Sequence, residues 1–410
     1  MSVNPGGCMQ RYSLIALTFS VACGGSNINE ATFSGSIGSA DSTTDAPDPT
    51  DASAEQGDES SSGDASDSDS ADESSSTGGA DESSSTGAEE NCEQAAFDFA
   101  LAPEPPNVML VLDKSRSMSN VWDHDNDAST PDISRWNSLY NVVESLTAEF
   151  EGRIAFGAQL FPSASAYLDE PTNAFSCLVE DAPEVEIGLD TAAAILAAMP
   201  PAGDFSISGG TPTVAGLDAA LSHLMTMPAE QPRAILLLTD GAANCSTAEA
   251  PEDTLFVYDG ATPGVVEAAW QDHAIPTYVV GINILDELGT KPAVNPYEAL
   301  TAVADAGGVA ASGVDHFYNS FNEIELVAAL DVVANQIECT ITLQDAPDFP
   351  DEVGVAVDGQ PWAATNDCEA GDGWTYTTPV GPFNAIRLCG AACESLQGGG
   401  VVEVDYMCPE

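Results

Sequence analysis

Positive charge is nearly missing from this sequence. Eight Lys and Arg stand against 66 Asp and Glu, a formal net charge of −58 over 410 residues. A field of that sign repels nucleic acid and anionic membrane surfaces and draws divalent cations, so no nucleic-acid partner is expected. It also suits an exported protein in salty surroundings, where surface carboxylates are screened. Histidine is scarce as well: His124, His223, His273 and His316 are scattered and lack the HExxH spacing of a zinc protease. There is no GxxxxGK phosphate loop and no GxSxG elbow. Long apolar runs are lacking too. Tyr12 to Ala22 (YSLIALTFSVA) is too short to span a bilayer as a helix, and no other run is long enough.

That short run has the length of a signal-peptide core, follows Arg11, and ends in Ser20-Val21-Ala22-Cys23. The ending resembles a bacterial lipoprotein cleavage box, with Ser20 in place of the usual leucine. Residues 1–23 are read as a signal peptide, with lipidation at Cys23. Parity agrees: with Cys8 removed and Cys23 acylated, eight cysteines remain, an even number. The expected location is the outer membrane or cell surface, with membrane contact only through the lipid; a secreted or periplasmic protein is the alternative. Residues 24–91 contain no Lys or Arg and almost no aromatic residue, and repeat ADESSSTG at Ala71 and Ala80. Such a segment cannot bury a core, so it is read as a disordered acidic tether.

The chain is organised around Asn107 to Ser119, NVMLVLDKSRSMS, where an apolar run stops at an aspartate and a cluster of hydroxyls. The run reads as a buried parallel strand. Asp113, Ser115 and Ser117 stand at alternate positions on the loop that leaves it, so they can aim hard oxygen ligands at one point. A second such strand, Arg233 to Thr239, ends at Asp240-Gly241. Between the two lies SGGTPT, Ser208 to Thr213, with Thr211 just ahead of a helix.

This set, Asp113-x-Ser115-x-Ser117, then Thr211, then Thr239-Asp240-Gly241, resembles the metal-ion-dependent adhesion site of von Willebrand factor type A (VWA) domains over roughly Pro105 to Gln336. The resemblance implies that Ser115, Ser117 and Thr211 bind Mg²⁺ (or Mn²⁺) directly or nearly so, while Asp113 and Asp240 act mostly through water. It implies in turn a partner that supplies an Asp or Glu carboxylate. Mg²⁺ takes about six oxygens and keeps its waters, which agrees with such a division. Arg116 departs from the family's usual glycine.

Further along, Asp123, Asp125, Asp127 and Asp132 (DHDNDASTPD) form an acidic run. It lacks the Gly and Glu of an EF-hand but offers a second, looser candidate site for Ca²⁺. Helices are expected at Ser134–Phe150, Thr191–Met199, Thr213–Met227, Pro263–His273, Pro296–Ala306 and Phe321–Gln336, alternating with strands. Residues 92–337 thus read as an α/β domain with a doubly wound, mostly parallel sheet. Ligands of such sheets bind beyond strand carboxyl ends. Cys177 and Cys245 both fall on loops at that edge and are expected to form a disulfide. Residues 338–410 change to short strands without helical period, a small disulfide-rich β domain with five cysteines. The odd count points to Cys92 as an outside partner, with Cys339.

The function expected is a cell-surface, metal-dependent protein-binding module that accepts a carboxylate from an extracellular or envelope protein. The alternatives are a structural envelope lipoprotein with an idle site and a metal-dependent phosphoester hydrolase. Against the hydrolase, only Lys114 and Arg116 stand near the motif to neutralise a transferred phosphoryl group. The chain is accordingly read as not an enzyme.

Overall fold

The computed structural model describes residues 99–407 except 102–103, 168–173, 248, 250–252, 344–345, 367, 369–370, 379–380 and 382. The expectations for the signal peptide, Cys23, the tether, Cys92 and Cys408 fall outside the described residues. Among the described residues no helix is long and apolar enough to cross a membrane.

After β1 (Phe99–Leu101), the main sheet begins with β2 (Asn107–Asp113), every residue of which is buried. A two-stranded ribbon, β3 (Val121–Trp122) and β4 (Ile133–Ser134), leads into α1 (Arg135–Glu149). The helix starts where Ser134 accepts from the Asn137 N–H at 3.1 Å, satisfying one of the free donors of the first turn. There follow β5 (Ala155–Phe161), β6 (Val185–Gly188), α2 (Ala192–Ala198), α3 (Thr213–Leu224) and β7 (Arg233–Thr239). Then come α4 (Thr262–His273), β8 (Thr277–Ile282), α5 (Pro296–Ala306), β9 (Tyr318–Ser320) and α6 (Glu323–Glu338). Strand order is β6-β5-β2-β7-β8-β9, parallel except for β6 at one edge.

Alternation along β2 explains the double cover. Val108, Leu110 and Leu112 face one core with α1 and α6, whose Leu139, Val143, Leu326 and Leu330 fill it. Met109 and Val111 face the other, filled from α3, α4 and α5 by Leu217, Val266 and Leu300. A strand buried on both faces must be apolar at every position, which is why β2 shows no alternation in sequence. The expected doubly wound sheet is present. The sheet ends at β9, Tyr318–Ser320, on one side and at the antiparallel β6 on the other.

The carboxyl-terminal part contains β10 (Thr340–Thr342), β11 (Val353–Val357), β12 (Gln360–Trp362), β13 (Gly373–Tyr376), β14 (Ala385–Cys389), α7 (Ala391–Gln397) and β15 (Val402–Tyr406). Its two sheets, β1-β15-β11-β12 and β10-β14-β13, enclose a separate core around Val355, Trp374, Ile386, Leu396 and Val404.

Three expectations are corrected here. β1 pairs antiparallel with β15, Phe99 opposite Val404, so the first described strand belongs to the small β domain and not to a unit beginning at residue 92. The α/β domain is therefore inserted between β1 and the rest of that domain. Cys339 is bonded to Cys393 and Cys368 to Cys389, so Cys92 is not the partner of Cys339. Finally, the region holds a helix, α7, whose seven residues are too few to show a period.

Candidate functional site

The order reverses at β2: the chain crosses from β2 to β5 on one side and later returns to place β7 on the other. Loops leaving β2 and β7 therefore diverge over a crevice at the strands' carboxyl ends. Register sets Leu112 beside Leu238, so Asp113 and Thr239 leave the sheet side by side. The Thr239 hydroxyl donates to Asp113 Oδ2 at 2.6 Å, and the Ser115 N–H donates to Asp113 Oδ1 at 2.7 Å. Asp113 is fully buried. Burial, reinforced by the like charge of Asp240, pushes its pKa up to about 7.

From Asp113 the loop turns through a short 3₁₀ segment, Arg116–Ser119, pinned from below by fully buried Met118. That turn brings the Ser115 and Ser117 hydroxyls to 2.9 Å of each other. Ser117 Oγ in turn donates to Asp240 Oδ1 at 2.6 Å. Four of the five residues named from sequence are thus joined by hydrogen bonds: Asp113 through the Ser115 N–H, and the Ser115, Ser117 and Asp240 oxygens to one another.

Thr211 arrives on a third loop. The Arg116 N–H donates to Gly209 O at 3.2 Å, and Lys114 Nζ reaches Ser208 O at 3.3 Å and Ala166 O at 3.2 Å. The Lys114 ammonium is buried, which pushes its pKa down, and it ties the β2 loop to two neighbours. Thr211 itself is held by Asn244, whose Oδ1 accepts its N–H at 2.6 Å and whose N–H donates to its carbonyl at 2.9 Å. Its hydroxyl makes no hydrogen bond among the described residues.

The approach is close: a Cβ on Gly210 would lie 2.4 Å from Cys245 Sγ, and Gly209 has φ +123. Cys245 is bonded to Cys177, Cα to Cα 5.7 Å, so the disulfide underlies the Thr211 loop. Replacing both cysteines by Ser removes a cross-link closing 68 residues, which the loop-entropy relation puts at about 4 kcal/mol. The double variant is expected to show that loss in urea denaturation and a weaker affinity for added Mn²⁺; an unchanged midpoint would deny the bond its role.

Two residues at the site escaped the sequence reading. Arg135, the first residue of α1, places Nη1 2.7 Å from Asp240 Oδ2, and the Asp240 side chain is fully enclosed. Asn244 is the other. The signal for Arg135 was its rarity, since three of the eight basic residues, Lys114, Arg116 and Arg135, belong to this end of the sheet. The Arg116 side chain is exposed.

The carboxylates of the acidic run are bonded within their own loop. Asp125 Oδ1 accepts from the Asp127 N–H at 3.0 Å and from the Thr130 hydroxyl at 2.8 Å, while Asp127 Oδ1 accepts from Ser129 N–H and Oγ. These carboxylates cap turns of their own loop, which lowers the pKa of both. Among the described residues no three His, Cys, Asp or Glu side chains gather as metal ligands.

One pair of hydroxyls in the first site has the spacing that a small hard cation takes. Adjacent ligands of an octahedral ion at 2.0–2.1 Å are separated by about 2.9 Å. That is the Ser115 Oγ to Ser117 Oγ distance.

No family profile matches this chain, and no curated protein does. Among solved structures, it is similar to the pilus adhesin SpaC of Lactobacillus rhamnosus GG at 16% identity and a TM-score of 0.43, over 75% of this chain and 40% of that one. A von Willebrand factor type A protein of Catenulispora acidiphila is similar at 14% identity and a TM-score of 0.36, over 75% of this chain and 59% of the other. The vWF domain of the type V pili tip protein Mfa5 of Porphyromonas gingivalis is similar at 14% and 0.36, over 61% of this chain and all of that domain. The chain spans well under two thirds of the SpaC length. Its fold class rests on its own strand order.

Proposed function

We propose that this chain is a binding module of the cell surface that holds Mg²⁺ or Mn²⁺ through Ser115, Ser117 and Thr211. Asp113 and Asp240 act through water, and the site grips an Asp or Glu carboxylate of an extracellular or envelope protein. When bound, the ion supplies an electrophilic position for that carboxylate. Everything else is the work of the chain. Asp113 orients the Ser115 backbone, Asp240 draws the Ser117 proton away from the lone pairs that would face the ion, and Asn244 sets Thr211. Two acidic side chains around a divalent ion leave it able to accept one more anion.

The observation that carries this reading is the 2.9 Å spacing of the two serine hydroxyls, continuous with Asp240 across a sequence separation of 123. Attachment through a lipid on Cys23, at the outer membrane or cell surface, belongs to the same proposal. The module is proposed as non-enzymatic.

Calorimetry tests it. The full chain is expected to bind Mn²⁺ and Mg²⁺ at one site, and Asp113→Ala or Ser115→Ala to weaken binding by about a hundredfold, the scale of losing one charge-assisted contact or ligand. The second reading, an envelope lipoprotein with an idle site, draws on the Arg135 pair, which already supplies Asp240 with a counter-charge. A flat titration of the parent protein with both ions would select it.

A further inference from the structure

Arg135 stands beside the site without being one of its oxygen ligands, and its placement is built. Its backbone N–H donates to Asn120 O at 3.0 Å, and it opens α1 directly after the Ser134 cap. Asp240 is the one acceptor its side chain meets among the described residues, and Nε is buried with no partner. The guanidinium is therefore committed to a single carboxylate oxygen, in a chain with eight basic residues to distribute.

We propose that Arg135 converts this site from a cation trap into a carboxylate receptor, by cancelling one of its two acidic charges and keeping Asp240 out of direct contact with the ion. The inference rests on the metal-binding reading above. Asp113 and Asp240 together would bring the net charge of the loaded site to zero, which leaves an incoming anion the ion's open position but no net attraction toward it. With Arg135 included, the loaded site carries one net positive charge. Geometry adds a second effect. Asp240 Oδ2 is held by Arg135 at 2.7 Å and Oδ1 by Ser117 at 2.6 Å. The carboxylate cannot turn to occupy the open position without giving up one of those bonds inside an enclosed pocket, where the loss is not made good by water. Arg135 thus weakens the hold on the ion and strengthens the hold of the ion on a partner.

Opposite signs make the test sharp. Mn²⁺ is titrated calorimetrically into the full chain stripped with EDTA. Acetate is then titrated into the Mn²⁺-loaded protein while water-proton relaxation follows the bound ion. Arg135→Gln is expected to bind Mn²⁺ about tenfold more tightly and acetate about tenfold more weakly, the scale of one unit charge acting near a protein surface. Arg135→Lys retains the charge and is expected to stay within about threefold of the parent in both constants. If Arg135→Gln weakens both ligands or shifts neither, Arg135 is only a structural tie and the proposal is overturned. Equal loss of acetate binding in Arg135→Lys overturns it as well, and that variant carries the test if the Gln variant does not fold. Mn²⁺ binding that appears only in Arg135→Gln supports it. No Mn²⁺ binding in parent or variants removes the metal-binding reading itself, a result distinct from unchanged constants.

Discussion

Asp113→Asn is expected to weaken Mn²⁺ binding by up to about a hundredfold and, in EDTA at pH 8, to give a protein more stable than its parent. Asp113 has no exposed surface, and burial together with Asp240 raises its pKa from 3.8 to about 7. A carboxyl whose folded pKa lies above its unfolded one favours folding in its protonated form. That contribution is complete below the unfolded value, fades as pH rises, and is gone above about 7, where the fold must hold a buried anion. At pH 8 the cost is of order 4 kcal/mol, given 1.36 kcal/mol per pKa unit.

Asparagine removes that charge while preserving the local bonding. Its carbonyl can accept from the Ser115 N–H. Its amide can donate to Thr239 Oγ1, whose own proton can turn to Gly241 O, 3.2 Å away. Urea denaturation of parent and variant between pH 5 and 8 isolates this group from the other 65 acidic residues. The curves should converge toward pH 5 and separate toward pH 8. Mn²⁺ at a hundred times the parent's Kd should close about half of the gap at pH 8, since it adds about 2.7 kcal/mol to the parent and about 0.4 to a variant that binds a hundredfold more weakly. A variant less stable than the parent in EDTA at pH 8 would sink the account of a strained carboxyl, and Mn²⁺ affinity equal to the parent's would sink its place at the ion.

Trp136→Ala should cost about 3–5 kcal/mol, as truncations of fully buried tryptophans do. Trp136 has no exposed surface and its Nε1–H donates to Pro200 O at 3.1 Å, joining α1 to the end of α2. The substitution leaves a cavity between helix and sheet and a carbonyl without its donor. Domains are commonly stable by about 5–15 kcal/mol, so the change takes a large share of the margin. It is also one residue from Arg135, so Mn²⁺ affinity should shift in whatever fraction remains folded. Trp136→Phe, which fills most of the space, should lose less than half as much. A loss below about 1 kcal/mol for the alanine variant would show that α1 is held elsewhere.

The parts of this molecule that could be read from its sequence are those whose determinants are local. β2 is legible because a strand covered on both faces must be apolar at consecutive positions, and α1 because Trp136, Leu139, Val142, Val143 and Leu146 recur at helical spacing. Alternating strands and helices then left few arrangements other than a parallel sheet. The insertion of that sheet into a discontinuous β domain was not legible: three residues of β1 carry too little pattern to reveal that their partner, β15, lies some 300 residues on. Nor was the fate of the acidic run. Alternating aspartates suit both a cation and a series of turns, and only the folded loop shows that the Ser129 and Thr130 hydroxyls meet Asp127 and Asp125.

By itself, the order of residues determined which oxygens meet, because Asp113, Ser115 and Ser117 share one loop and Asp240 ends a strand built like β2. Only the tertiary structure decided how those oxygens are charged and held. Arg135 reaches Asp240 across 105 positions, and Asn244 reaches Thr211 across 33, because β2 and β7 are neighbours and the helices that follow them start at the same edge. A spacing along the chain can announce a ligand, but a counter-charge acts through space, and distance through space is settled only when the sheet has formed.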